Sequence, residues 1–284
     1  MQSISDSVYI EDHYLGSTLG VIQQPRGLVQ VDAPPAPEDG RAWRAALMGL
    51  GSGPERVLIN LDAHPDRTLG ARTMDCTVIA HEKTAAVFRV RPTTFKAQGN
   101  ETGSDWETIP GLGTVRWAPP EISFTNQMIL HWGEKPIIVE QHPGPSSGAI
   151  WVTVPDDKVV FLGDAVLKNQ PPFIAHADLP AWIEALKLLL GPQYRGYTFV
   201  SGRGGTASSS AVKAQLELME EIHEKLEKMA SKGQSPEATE KLVEAFGNKF
   251  KASVARHKQY VQRLRYGFRH YYARHYHMGN SAEE

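Results

Sequence analysis

The chain has 284 residues, 41% hydrophobic and 22% charged, with a formal net charge of −2; this length buries a full core and fits one large domain plus an extension, while the near-neutral charge says nothing about partners. Cys76 is the sole cysteine, which excludes an internal disulfide and suggests a reducing compartment. No apolar run reaches membrane-spanning length and the first residues lack the basic-then-apolar layout of a secretory signal, so a cytoplasmic protein without a membrane partner is expected.

In chain order, the run "GLVQVDAP" (residues 27 to 34) is apolar and ends at Asp32, and residues 38 to 50 predict a helix. "RVLINL" (56 to 61), "PIIVEQ" (136 to 141), "AIWVTV" (149 to 154), "KVVFLG" (158 to 163) and "YTFVSG" (197 to 202) are short β-branched or aromatic runs bounded by turn residues, which predicts buried strands. A Pro155-Asp156-Asp157 turn joins two of them as a hairpin. Residues 93 to 120, rich in Gly, Pro, Thr and Trp, read as a long surface excursion in which Trp106 and Trp117 either line a pocket or pack in the core. Residues 179 to 190 predict a helix with Asp178 as N-cap and Gly191-Pro192 as its stop.

From Ser208 the pattern becomes helical. Val212, Leu216, Met219, Ile222, Leu226 and Met229 recur at spacings of three and four until Gly233. Ser235-Pro236 starts the next helix, whose apolar stripe runs through Leu242, Phe246, Phe250, Val254, Val261, Leu264, Phe268 and Tyr272. If this helix is continuous from residue 236 to 277 it is about 63 Å long, more than the helix before it can cover. The surplus stripe then predicts a homo-oligomer through these C-terminal helices. Residues 214 to 230 hold five glutamates against two lysines, whereas residues 249 to 277 hold eight Lys or Arg, four His and no acid. Two readings are open: neutralisation of the basic helix by an acidic one, or a basic, aromatic surface for nucleic acid. His270, His275 and His277 lack the i,i+4 spacing of a helical metal pair.

The chemistry concentrates in the segment from Asn60 to Gly70, which contains Asp62, His64, Asp66 and Arg67. It resembles the His-x-His-x-Asp-His signature of the metallo-β-lactamase superfamily, with Asp62 and Arg67 in place of its first and last His. Further landmarks come in family order. "QHPGPSSGAI" (141 to 150) is similar to the Gly-His-Thr-x-Gly loop, with Pro145 where the His belongs; "KVVFLGDAV" (158 to 166) matches the Gly-Asp strand end, kept as Asp164; "YTFVSGRGG" (197 to 205) matches Gly-His-Gly, with Arg203 for His. Asp32 stands at the place of the family's structural Asp, so the resemblance spans residues 8 to 205.

The resemblance implies an α/β (α+β) fold, a metallo-β-lactamase-like αββα sandwich over residues 1 to 205, with a C-terminal helical hairpin extension over 206 to 284. It also implies which places would hold metal: those of Asp62, His64 and Pro145 with Asp164 for one ion, and those of Asp66, Arg67 and Arg203 with Asp164 for the other. Proline offers no side-chain ligand and a guanidinium no lone pair. Arg67 and Arg203 are therefore expected to neutralise Asp66 and Asp164 by bidentate hydrogen bonds, with no metal cofactor. This leads to a non-catalytic binding or regulatory protein of hydrolase descent, with an anionic small molecule as the expected ligand.

Two alternatives stand beside it. One is a mononuclear hydrolase of an ester, thioester or phosphoester, using Asp62, His64 and Asp164 around one zinc, manganese or iron ion, with His142 or His81 as a fourth ligand and Asp66 and Asp164 as catalytic carboxylates. The other is nucleic-acid binding through the basic C-terminal helix.

Overall fold

The computed structural model describes residues 1–97 and 101–277. Seven strands form the first sheet in sequence order: β1 (Gln2–Ser3), β2 (Val8–Glu11), β3 (Leu19–Gln24), β4 (Gly27–Val31), β5 (Glu55–Ile59), β6 (Thr77–His81) and β7 (Ile122–Phe124). Six form the second: β8 (Gln127–Leu130), β9 (Ile137–Gln141), β10 (Ile150–Val154), β11 (Val159–Phe161), β12 (Thr198–Val200) and β13 (Thr206–Ala207). Within the first sheet β4, β5, β6 and β7 run parallel, as do β11 and β12 in the second, and the other pairs are antiparallel.

The alternation of side chains along each strand explains the layering. In β10, Ile150, Val152 and Val154 face the first sheet, where they meet Val29, Val31, Ile59 and Ile79, while Trp151 faces the opposite way into a helical layer. Both faces are covered, so the strand reads as continuous apolar sequence. Helix α1 (Pro37–Leu47) covers the outer face of the first sheet through Trp43 and Leu47. Four residues of helix α2 (Pro65–Thr68) follow β5, and α3 (Glu82–Val90) follows β6. On the outer face of the second sheet lie α4 (Leu179–Leu189), capped by Asp178 accepting the Ala181 N–H at 3.0 Å, and α5 (Ser209–Ala230), with Gly233 at φ +61° beyond its end. The result is the αββα sandwich with a C-terminal helical region.

The last helix is not continuous. A 3-10 turn over Pro236–Thr239 leads into α6 (Glu240–Gly247), the chain leaves the helix, and α7 (Val254–Tyr272) starts afresh under a Ser253 hydroxyl that accepts the Arg256 N–H at 3.4 Å. Gly247-Asn248 and a Ser cap are stop and start signals that outweigh the periodic stripe. Turning back lays α6 on α7, with the Phe246 and Phe268 rings 5.5 Å apart. Leu264, Phe268 and Tyr272 are thereby buried within the chain's own core, against Val212, Met219 and Ile222 of α5. The surplus apolar length calculated for a 42-residue rod, about 63 Å, does not arise. The charges also divide: Lys249 meets Glu221 of α5 at 2.5 Å, Arg265 meets Glu240 at 2.6 Å and Arg269 meets Glu237 at 3.2 Å, while Arg256 and Arg263 turn inward.

The excursion over residues 93 to 120 is also more than surface. Phe95, Trp106, Leu112, Val115 and Trp117 form a buried cluster with Leu69 and Phe88. Edge-to-face packing of Phe95 on both Trp106 and Trp117 anchors it against the sandwich.

Candidate functional site

Strand ends deliver the polar residues to one edge of the sandwich. After β4, Asp32 sits at φ +59° and accepts the Leu61 N–H at 2.9 Å. After β5, Asp62 accepts the His64 N–H at 2.8 Å, and the His64 ring caps α2 by accepting the Asp66 N–H at 3.2 Å on Nδ1. Asp164 follows β11 in a tight turn, and Arg203 follows β12. Gly202 between them is obligatory, because a Cβ there would lie 2.4 Å from the Gly163 backbone and 2.6 Å from the Asp164 carboxylate.

The structure thus gathers Asp32, Asp62, His64, Asp66, Arg67, Asp164 and Arg203 in one place, but the ion pairs differ from the expected set. Arg67 does not meet Asp66. Its guanidinium lies 2.8 Å from Asp32 and 3.0 Å from Asp62, and it bonds Asp164. Arg203 bonds Asp66 at 2.7 Å and reaches both oxygens of Asp164 at 3.3 Å. It also bonds Asp105 at 2.8 Å, a residue of the long excursion that sequence reasoning missed. Asp105 in turn accepts Arg256 of α7, and the N–H groups of Asp105 and Trp106 donate to Asp66 at 3.0 and 2.6 Å. Gly103 permits this docking: at φ +70° it lies so close to α7 that a Cβ would stand 2.5 Å from the Arg263 nitrogen.

Burial opposes ionisation of Asp164, yet Arg203 and Arg67 overcome it and hold the carboxyl well below its usual range. Burial likewise works against the charge of Arg67, and Asp164, Asp62 and Asp32 outweigh it, keeping the guanidinium protonated. Carboxylates outnumber guanidiniums in this cluster, and the surplus shows at its margin: burial pushes Asp32 up to about 7 and raises Asp66. For His64, burial and then the neighbouring Arg203 pull the imidazole down to about 3, so it is neutral. Its Nδ1 receives the Asp66 N–H and faces Arg203 Nη2 at 3.4 Å, which places the proton on Nε2, 3.4 Å from the Ser104 hydroxyl.

These residues do not fit a metal. Asp164 spends both oxygens on Arg67 and Arg203, Asp62 turns one oxygen to Arg67 and the His64 N–H, and His64 spends its lone pair on a backbone N–H. Among the described residues no group of three or more His, Cys, Asp and Glu is arranged to hold an ion. His142 lies flat on Trp151, ring centroids 3.7 Å apart, and His81 caps α3 by accepting the Lys83 N–H at 3.0 Å, so each has a local task.

Beside the ion-pair cluster lies a cavity of about 480 Å³. Its polar wall includes Asp62, His64, Ser146, Asp164, Arg91, Arg263 and Arg274; its apolar wall includes Pro65, Trp106, Pro145, Phe173, Ile174 and Tyr266. Trp106 therefore lines the cavity, whereas Trp117 packs beneath it against Phe88 at 5.4 Å. Phe173 is a hub: Arg203 and Arg263 stack on it at 4.4 and 3.8 Å, and the His64 ring meets it edge-on at 4.5 Å. Arg91, Phe173 and Arg263 carried no motif. Arg263 had one legible signal, since it falls at helical spacing among Tyr260, Leu264, Gly267 and Phe268, all buried.

No curated protein matches the chain. Solved structures do. A metallo-beta-lactamase from Pontibacter korlensis is similar with a TM-score of 0.61 at 19% identity, covering 77% of this chain and 97% of its own. The DIM-1 metallo-beta-lactamase gives a TM-score of 0.60 at 14% identity over 77% and 95% of the two chains. A metallo beta lactamase from Erythrobacter litoralis gives 0.59 at 16% identity over 78% and 95%. At such identities the likeness is one of fold. The family model described as the metallo-beta-lactamase superfamily matches residues 20–197, well over half of the sequence, and so the chain belongs to that superfamily.

Proposed function

We propose that this is a non-catalytic binding or regulatory protein of hydrolase descent, in which two arginines have taken over the charge balance of the family's metal centre and the adjoining cleft receives an anionic small molecule. The observation that carries this reading is the Asp164 carboxylate shared by Arg67 and Arg203. Two guanidiniums on one carboxylate supply the compensation that a buried anion needs, and they do so through directional hydrogen bonds without a lone pair to offer a cation.

The state of His64 and Asp164 supports the same reading. Activating water requires an unprotonated nitrogen or a free carboxylate facing the substrate. His64 presents Nε2–H, a donor, and the cavity-lining Asp164 is held on both oxygens by Arg67 and Arg203. A neutral donor and fixed guanidiniums suit recognition of an anion better than attack on one.

Metal content tests the proposal. Protein purified without chelator should carry less than one equivalent of zinc, manganese and iron together, and titrated zinc should leave the thermal midpoint unmoved. Two tightly held ions per chain would overturn it.

A further inference from the structure

Three residues that line the same cavity, Arg91, Arg263 and Ser146, each carry a buried side-chain atom (Nη1, Nη2 and Oγ) with no hydrogen-bond partner among the described residues. They arrive from elements far apart in sequence, namely the end of α3, the middle of α7 and the loop between β9 and β10. An unsatisfied buried donor is costly, and three side chains that carry one around a single cavity point to an acceptor there.

Arg263 is fixed through both of its other nitrogens and Arg91 through one. Arg263 donates Nε–H to the Gly103 carbonyl at 3.0 Å and Nη1–H to Gln170 at 2.9 Å and the Pro171 carbonyl at 3.1 Å, with its plane on Phe173. Arg91 donates Nη2–H to the Ala63 carbonyl at 2.8 Å and stacks on Trp117 at 4.5 Å. Neither forms an ion pair with a carboxylate among the described residues, and burial draws each guanidinium down to about 10. Such preorganised, uncompensated cations lose little freedom when an anion arrives.

Resting on the reading of this cleft as a binding site, we infer that its ligand is an organic acid: one carboxylate or phosphate group, gripped by Arg91, Arg263 and Ser146, carried on an apolar body of ring size. The body is specified by the other walls. Pro65, Trp106, Phe173, Ile174 and Tyr266 offer carbon surface, and about 480 Å³ is the volume of a small-molecule site. A bare inorganic anion would leave that surface unfilled.

The test uses the full chain and three probes of one shape: 1-naphthoate, 1-naphthyl phosphate and the uncharged 1-naphthalenemethanol, followed by calorimetry. At least one acid should bind one per chain and about tenfold or more tighter than the alcohol, as a charge-assisted bond requires, and the preferred acid identifies the head group. Arg91→Met should weaken that acid by about tenfold or more at an unchanged thermal midpoint, and Ser146→Ala by a smaller factor. Equal affinity for acid and alcohol, or an unaltered Arg91→Met, overturns the acid anchor and leaves the metal-free centre standing. Two equivalents of tightly bound zinc overturn both.

Discussion

Arginine is used in two opposite ways within one edge of this sandwich. Arg67 and Arg203 are charge-paired: each is fully or almost fully buried and touches three carboxylates. Arg91 and Arg263, lining the adjoining cavity, keep an unbonded nitrogen and form no ion pair among the described residues. The same side chain therefore serves as mortar in the first place and, in the proposed site, as a receptor in the second. Partner count, and not residue type, distinguishes them.

The largest expected effect breaks the charge-paired half. Arg67→Met strands Asp32 and Asp62 and leaves Asp164 to Arg203 alone, and should lower unfolding stability by about 3–5 kcal/mol, the range for a buried pair that loses one member. Arg203→Ala leaves Asp164 with Arg67 and Asp105 with Arg256, so its loss should be smaller, about 2–4 kcal/mol. Urea denaturation reads both, and an unchanged midpoint for either would show that its guanidinium is solvated and not part of a structural cluster.

A middle-sized effect comes from His64, which sits between the two halves. Folded, it stays neutral down to about 3; unfolded, it protonates near 6.5. In that window the unfolded state holds the extra proton, so this residue makes stability fall as pH drops from about 6.5 toward 3. His64→Gln should remove about 1 kcal/mol per pH unit of that slope. An imidazole resonance that titrates near 6.5 in the folded protein would contradict a neutral ring that accepts at Nδ1 and donates at Nε2.

Arg91→Met should give the smallest change, within about 0.5–1 kcal/mol, because no carboxylate depends on it. A loss as large as that of Arg203→Ala would erase the distinction between mortar and receptor.

Six strands (β4, β5, β9, β10, β11 and β12), the sandwich and the landmarks at Asp62, His64, Asp66, Asp164 and Arg203 were legible because apolar alternation marks the strands and family order specifies the residue type that follows a strand end. Arg67 was legible as an arginine that replaces a ligand, but not in its choice of partners. That choice is set by the α2 turn, which aims it toward Asp32 and Asp62 and away from Asp66. Asp105 was hidden in a stretch without periodicity, and its role depends on contacts with Asp66 and Arg256, 39 and 151 residues distant. The break in the last helix was written in Gly247-Asn248 and Ser253, yet an uninterrupted apolar stripe masked it. Arg263 shows the opposite case, a cation standing on a buried helical face, where only packing against the loop at Gly103 explains it.

Asp105 bridges Arg203 of the sandwich and Arg256 of α7, bonds that span 98 and 151 residues of chain. During synthesis the loop that carries Asp105 emerges long before α7 does, and contacts of such separation form late. Until then the loop lacks one of its two cationic latches, and the cavity lacks the Arg263 wall. Assembly of this edge thus waits on synthesis of α7: that helix sets the moment at which the proposed ligand can first be held.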